Sequence, residues 1–258
     1  MMATVVIKIG GSILEALEEG FYEGVVKRAS LGDKIMIVHG GGPAINNLLQ
    51  AMAVESQFVN GLRKTTAEVL TAAETALSGQ INKQLVRSLY QAGGKAIGLS
   101  GSDGHLLKTI PIDTDKLGFV GAVESVNVDV LFNVVKAGYI PVIAPIGMDA
   151  NYQPYNINAD TAAAAVAKAS KAEELVFVTD VDGVQKDGKV IKEMDEVLAK
   201  HYIEEGVIYG GMVPKVNACL DSLSGALTKA RIVNGKKAYH PSAGTAIVKQ
   251  SNVLTSGA

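Results

Sequence analysis

VVIKIGGSIL, Val5–Leu14, sets a β-branched apolar run around one lysine, Lys8, and ends it on two adjacent glycines, Gly10 and Gly11. A run of this length, apolar on both faces, has the composition of a strand buried inside a parallel sheet. Two readings of its end stand side by side: a tight turn whose lysine reaches water, or a place where bare backbone N–H groups and an ammonium meet an anion. Further runs of the same kind follow: KIMIVH (34–39), KAIGLS (95–100), YIPVIAP (139–145), ELVFVTDV (174–181) and KARIVNG (229–235). Helix-length segments separate most of them, so the class is α/β, a largely parallel sheet between layers of helices.

With 258 residues, 48% hydrophobic and 19% charged, the chain has material for one large core or two linked ones. A formal net charge of −2 leaves no electrostatic footprint for nucleic acid or an acidic membrane surface. Any anion must be held by local groups, and a small-molecule ligand is expected. The single cysteine, Cys219, excludes an internal disulfide and a multi-cysteine metal cluster, while four scattered histidines show no metal-ligand spacing. No protein-held metal is expected. The start of the chain lacks the pattern of a signal peptide, and no apolar run approaches the roughly 18 residues of a membrane span, so the cytoplasm is the expected compartment.

Leu70, Ala73, Leu77, Ile81, Leu85 and Leu89 recur at steps of three or four, which predicts one long helix whose stripe serves the core or a subunit interface. HLLKTIPID and GFVGAVESV, with TDKLG between them, and GVQKDGKVI around Asp187–Gly188 read as β-excursions that cover or close a site. The alanine-rich NADTAAAAVAKAS (158–170) reads as a helix packed closely on the sheet. PIGMDANYQPYN is the expected junction of two lobes of one domain spanning 1–258, with the boundary near Gly147.

A second glycine cluster, Gly40–Gly42, follows a strand ending at His39 and precedes Pro43, a residue suited to the first turn of a helix. Both clusters would open at the C-terminal edge of one sheet, where open α/β folds bind ligands. Neither is a Walker A loop or a complete GxGxxG fingerprint. A second lysine, Lys215, follows Pro214 at a helix start, where the helix dipole disfavours a cation unless an anion is near. Taken singly, Asp160 reads equally as a helix cap, Asp182 with Gly183 as a turn, and Arg63 as a solvated loop residue. Asp180 ends a buried-looking strand, and Arg63 has the fork to grip a carboxylate.

Together KIGGS (8–12), HGGGP (39–43), GLRKT (61–65), GLSGSDG (98–104), NINAD (156–160), TDVDGV (179–184) and GGMVPKVN (210–217) resemble the amino-acid kinase family, most closely its N-acetylglutamate kinases. The resemblance implies an eight-stranded open sheet, an amino-acid site over an N-terminal lobe (1–147) and a nucleotide site over a C-terminal lobe (148–258). It implies phosphoryl transfer from ATP, with Mg2+ held mainly by the nucleotide phosphates, to the side-chain carboxylate of N-acetyl-L-glutamate in arginine biosynthesis. Lys8 and Lys215 match the transition-state lysines and Asp160 the acid that orients both. Gly10 and Gly11 match a phosphate-facing turn, as do Gly41 and Gly42, which also touch the acetylated substrate. Arg63 and Asn156 match its other binding residues, and Asp180, Gly183, Tyr209 and Gly211 the nucleotide pocket. Only seven residues precede Lys8, short of the helix that links arginine-inhibited members into hexamers, so the expectation is a homodimer without arginine feedback. Two alternatives stay open: a kinase of N-acetyl-aminoadipate, one methylene longer, and a non-catalytic sensor on the same scaffold.

Overall fold

A computed structural model describes residues 2–225 and 227–249; Met1, Ala226 and 250–258, parts of the expected 1–258 domain, lie outside the described residues. From the N-terminus come β1 (Thr4–Ile9), α1 (Glu19–Ser30), β2 (Lys34–His39), α2 (Gly42–Ala51) and a small hairpin, β3 (Phe58–Val59) and β4 (Leu62–Arg63). Next are α3 (Ala67–Glu74), a π-helical segment over Thr75–Ile81 that continues without a break into α4 (Asn82–Gln91), and β5 (Ala96–Ser100). β6 (Leu107–Pro111), α5 (Thr114–Leu117), β7 (Val120–Val126), α6 (Val128–Lys136), β8 (Ile140–Ala144), β9 (Ile146–Met148) and β10 (Pro154–Ile157) follow. The rest comprises α7 (Ala159–Ala169), β11 (Glu174–Thr179), β12 (Gln185–Lys186), β13 (Lys189–Val190), β14 (Glu193–Asp195), α8 (Glu196–Glu204), α9 (Met212–Ser222), β15 (Lys229–Asn234) and β16 (Thr245–Val248).

Eight strands form one sheet in the order β14-β16-β15-β11-β1-β2-β8-β5, parallel throughout except that β16 runs antiparallel to β15. Alternation along β1 divides the core. Val5, Ile7 and Ile9 face the layer of α1, α2 and the α3–α4 rod, whereas Val6 faces α7, α9 and the residues Leu175 and Phe177 of β11. The predicted stripe is core: Leu70, Ala73, Leu77, Ile81, Leu85 and Leu89 are all buried within the chain. The predicted single α-helix is interrupted by the π segment, which contains Ser78 and Gly79; single π turns inside helices recur at functional sites. Here the wide turn presses Leu77 and Ile81 onto Gly41, where an added Cβ would lie 2.6 and 2.3 Å from their methyl carbons.

The expected excursions are more than covers. β6 and β7 pair as predicted, but β9 and β10 join them in a closed four-stranded barrel beside the main sheet. Gly147, the expected lobe boundary, lies in β9 and pairs with Tyr155 of β10. The Asp187–Gly188 hairpin is as read, with φ of 52° and 73° at the two turn residues.

Candidate active site

Strands β1, β2 and β11 lie side by side, and the chain leaves the sheet on either side of β1, so their C-terminal ends open at a topological switch point. Lys8 projects from the same face of β1 as Val6, toward the start of α7, and only 15% of its side chain is exposed. Two backbone hydrogen bonds hold the glycine turns: Gly10 N–H donates to Val178 at 3.2 Å and Gly40 N–H to Ile9 at 2.9 Å. The turns touch. A Cβ on Gly11 would stand 2.6 Å from the backbone nitrogen of Gly41 and 2.8 Å from that of Gly42. The N–H groups of Gly11, Gly41 and Gly42 find no acceptor among the described residues, and α2 begins at Gly42 with Pro43 in its first turn. Bare donors at a helix start are an anion site in waiting.

Asp160 does not cap its helix. Asn158 does, its Oδ1 accepting from the N–H groups of Asp160 and Thr161 at 2.8 and 3.2 Å, which leaves the Asp160 carboxylate to pair with Lys8 Nζ at 2.8 Å. Lys215 pairs instead with Asp180 at 3.9 Å and donates to the Gly211 carbonyl at 3.3 Å. The reason is local. Lys215 lies in the first turn of α9, whose start faces the end of β11, and its amine folds back to the residue four positions earlier. Both lysines nevertheless line one cleft with Gly10, Ser12, Asp160, Thr179, Asp180 and Pro214.

A second cleft adjoins the first across the Gly11–Gly41 contact and the start of α7, and it collects Gly41, Gly42, Arg63 and Asn156. Arg63 is 8% exposed, yet its partners are neutral: Ser56 Oγ, the Gly42 carbonyl at 3.4 Å and the ring of Phe58 at 4.7 Å. Burial lowers its pKa, but a guanidinium keeps its charge at any working pH. A buried cation left with neutral partners is suited to an incoming carboxylate. Asn156 Nδ2 donates to Thr65 Oγ1 at 3.2 Å, and that hydroxyl donates to the Arg63 carbonyl, so the two substrate candidates share a support. Ile45, Leu77 and Val120 supply apolar wall.

Of the nucleotide candidates, Asp180 lies in the lysine cleft, while Gly183 and Tyr209 line a third hollow with Val181, Val184, Val207 and Met212. Gly183 is fixed there by φ of 126° and by Thr245 Oγ1, 2.5 Å from where its Cβ would be. Gly211 lines none of these clefts; it precedes α9 and supplies the carbonyl that Lys215 meets. Asp182 is held below the usual carboxylate range by Lys237 at 2.7 Å and Asn234 at 2.8 Å. Among the described residues no group of three or more His, Cys, Asp or Glu side chains is placed to hold a metal ion.

Sequence reasoning passed over Ser12, Asn158 and His39, although all three fall inside quoted motifs; the Asn-x-Asp spacing at the start of the alanine helix was the available signal for the cap. His39 is fully buried, and desolvation pushes its pKa down to about 4 against the pull of the Gly40 carbonyl. Between about pH 6.5 and about 4 the unfolded chain therefore binds a proton at this position that the folded chain does not, and folding stability falls as pH is lowered through that window, by on the order of 3 kcal/mol in full. Denaturant unfolding of the parent and a His39→Asn variant from pH 7 to 4.5 should show their stability difference shrinking with acid; parallel curves would contradict this.

The Amino acid kinase family model matches residues 3–234. The chain is 99% identical over 257 residues to the acetylglutamate kinase of Shouchella clausii, covering 100% of both. It is 50% identical over 256 residues to that of Geobacillus kaustophilus, covering 98% of this chain and 99% of the relative. In structure it resembles smu.665 from Streptococcus mutans, with a TM-score of 0.82 at 31% identity over 95% of this chain and 98% of that one.

Proposed function

From the premise that the chain belongs to the amino acid kinase family, we infer that it transfers the γ-phosphoryl group of ATP to the side-chain carboxylate of N-acetyl-L-glutamate, forming N-acetyl-L-glutamyl 5-phosphate and ADP. The observation that carries the chemistry is the meeting of two clefts, one bearing two lysines and the other a buried arginine with neutral partners, at the junction of the glycine turns. In this reading Arg63 and Asn156 hold the α-carboxylate and its neighbours while the side-chain carboxylate reaches toward Gly41 and Gly42.

A side-chain carboxyl with a pKa near about 4.3 is already ionised at pH 7, so no general base is required. One carboxylate oxygen attacks the γ-phosphorus, the bond from phosphorus to the β-γ bridging oxygen breaks, and that oxygen leaves with ADP. No proton is moved. Both reactants are anionic, and catalysis reduces to alignment and charge compensation by Lys8, Lys215 and the free N–H groups. Asp160 and Asp180 keep each lysine's amine in place. Mg2+, held mainly by nucleotide phosphates, would neutralise further charge, in keeping with clefts whose acids are already engaged by lysines. The nucleotide base belongs in the apolar hollow of Gly183 and Tyr209, with Asp180 and Gly211 at its phosphate end.

Arg63→Met should raise the KM for acetylglutamate about tenfold to a hundredfold with little change in the KM for ATP, because a charge-assisted contact to substrate is lost. Arg63→Lys should recover only part, lacking both the fork and the stack on Phe58. Initial rates with each substrate varied in turn measure both. The reaction itself is tested by ADP release with acetylglutamate, acetyl-aminoadipate, glutamate and aspartate as acceptors, and by trapping the acyl phosphate with hydroxylamine; a preference for acetyl-aminoadipate would move the assignment to the longer acid. The reading includes a homodimer in the cytoplasm, which sedimentation of the purified protein tests for assembly.

A further inference from the structure

His39 closes the strand that leads into the second glycine turn, and nothing in the transfer derived above uses it. Its side chain is fully buried and partnered on both nitrogens: Nδ1 lies 3.0 Å from the Gly40 carbonyl and Nε2 lies 3.3 Å from Asn82 Nδ2. A carbonyl only accepts, so Nδ1 carries the proton and Nε2 is left as an acceptor facing the amide nitrogen of Asn82. Asn82 is itself fully buried, and its Nδ2 lies 2.8 Å from the Val142 carbonyl of β8 and 3.2 Å from the Leu99 carbonyl of β5, so its two hydrogens are shared among these carbonyls and His39 Nε2, while its Oδ1 accepts from Lys83 Nζ at 3.0 Å. It is the first residue after the π segment, whose Leu77 and Ile81 press on Gly41.

The Gly40 carbonyl and the Gly41 N–H belong to one trans peptide plane and point in opposite directions. Fixing the oxygen toward the imidazole therefore fixes the direction of the Gly41 N–H as well, and the Gly41 nitrogen is the atom that a Cβ on Gly11 would approach most closely, at 2.6 Å. We propose that His39, braced by Asn82, is a positioning residue for phosphoryl transfer: it anchors the Gly40 carbonyl and so holds the Gly41 N–H aimed at the junction of the two glycine turns, where the transferred group sits. Aim matters more than presence. A glycine peptide turns easily, and a donor contributes to the transition state only if it needs no reorientation as charge develops. The inference rests on the kinase reading given above.

Two substitutions separate the contacts. The amide of His39→Asn reaches the place of Nδ1 and retains a donor for Gly40, whereas His39→Gln reaches the place of Nε2 and retains the link to Asn82 alone. Steady-state kinetics of the full chain should show His39→Gln losing about tenfold or more in kcat at nearly unchanged KM for ATP, with His39→Asn recovering most of the loss. A merely structural histidine would rank the two by melting temperature, and kcat following melting temperature, or equal to the parent in both, overturns the inference. A parent chain without acetylglutamate-dependent ADP release overturns the kinase reading and this inference with it; an active parent with indifferent variants overturns the inference alone. A readout independent of any variant's folding is the 15N spectrum of the histidines in the parent at pH 7. The Nδ1–H tautomer is expected for His39, and the Nε2–H tautomer or an imidazolium would refute the anchoring.

Discussion

Replacement of Lys8 or Lys215 by alanine is expected to lower kcat about a hundredfold to a thousandfold while shifting the KM of either substrate by only a few fold. The lysines sit in one cleft but are braced separately, Lys8 by Asp160 at 2.8 Å and Lys215 by Asp180 at 3.9 Å. Each amine meets the charge that spreads over the equatorial oxygens during transfer more fully than it meets ground-state substrate, so the loss falls on turnover. The separate bracing adds a finer expectation. Asp160→Asn should reduce kcat severely through Lys8, and combining it with Lys8→Ala should cost little beyond Lys8→Ala alone, whereas Asp160→Asn and Lys215→Ala should combine nearly additively. Single-turnover and steady-state rates of the three single and two double variants measure this. Equal losses in binding with unchanged kcat would assign the lysines to uniform binding, and strong coupling between Asp160 and Lys215 would restore the arrangement in which one acid serves both.

Gly11→Ala is the second large effect. The added methyl has no flexible neighbour to displace: it meets the nitrogens of Gly41 and Gly42 and the Gly41 Cα at 2.6, 2.8 and 3.0 Å, all backbone. Either the turns separate or the free N–H groups are covered, and both outcomes misplace the donors. A loss of kcat of about a hundredfold or more follows, since misplacement by an ångström at a reacting centre is enough for that. Gly79→Ala is the matched control, with no atom within 4 Å of its new Cβ, and should leave the rate unchanged. Near-normal turnover in Gly11→Ala would mean that the contact of the two turns is not where transfer occurs.

The fold was legible where strands are long and buried on both faces. All six β-branched runs became strands of the main sheet, five of them inside it and KAIGLS as its edge strand β5, because a parallel sheet covered on both sides demands that composition. β14 and β16, at the other edge, have only three and four residues, and β14 carries charge on both sides of Met194, so no run announced them. The barrel stayed hidden for a different reason: β9 and β10 have three and four residues, and their pairing with β6 and β7 depends on contacts across more than thirty positions that no local pattern encodes. At the site, residue types were readable and partners were not. Lys8, Lys215 and Asp160 stand out as charges in unlikely places, but which carboxylate serves which lysine depends on where α9 docks against β11, a tertiary fact. His39 went unremarked for a related reason: a histidine ending a strand has no signal until the fold brings Asn82 to its far nitrogen.

The central claim is that Lys8, Lys215 and the N–H groups of the two glycine turns converge on a single transferred group. A crystal structure of the protein with MgADP, N-acetyl-L-glutamate and an aluminium fluoride mimic of the phosphoryl group tests it most directly. The account predicts the mimic between the two clefts, with both ammonium nitrogens and the Gly41 nitrogen roughly 3 Å from its equatorial fluorides. A mimic contacted by one lysine while the other remains on its carboxylate, or seated away from Gly11 and Gly41, would contradict it.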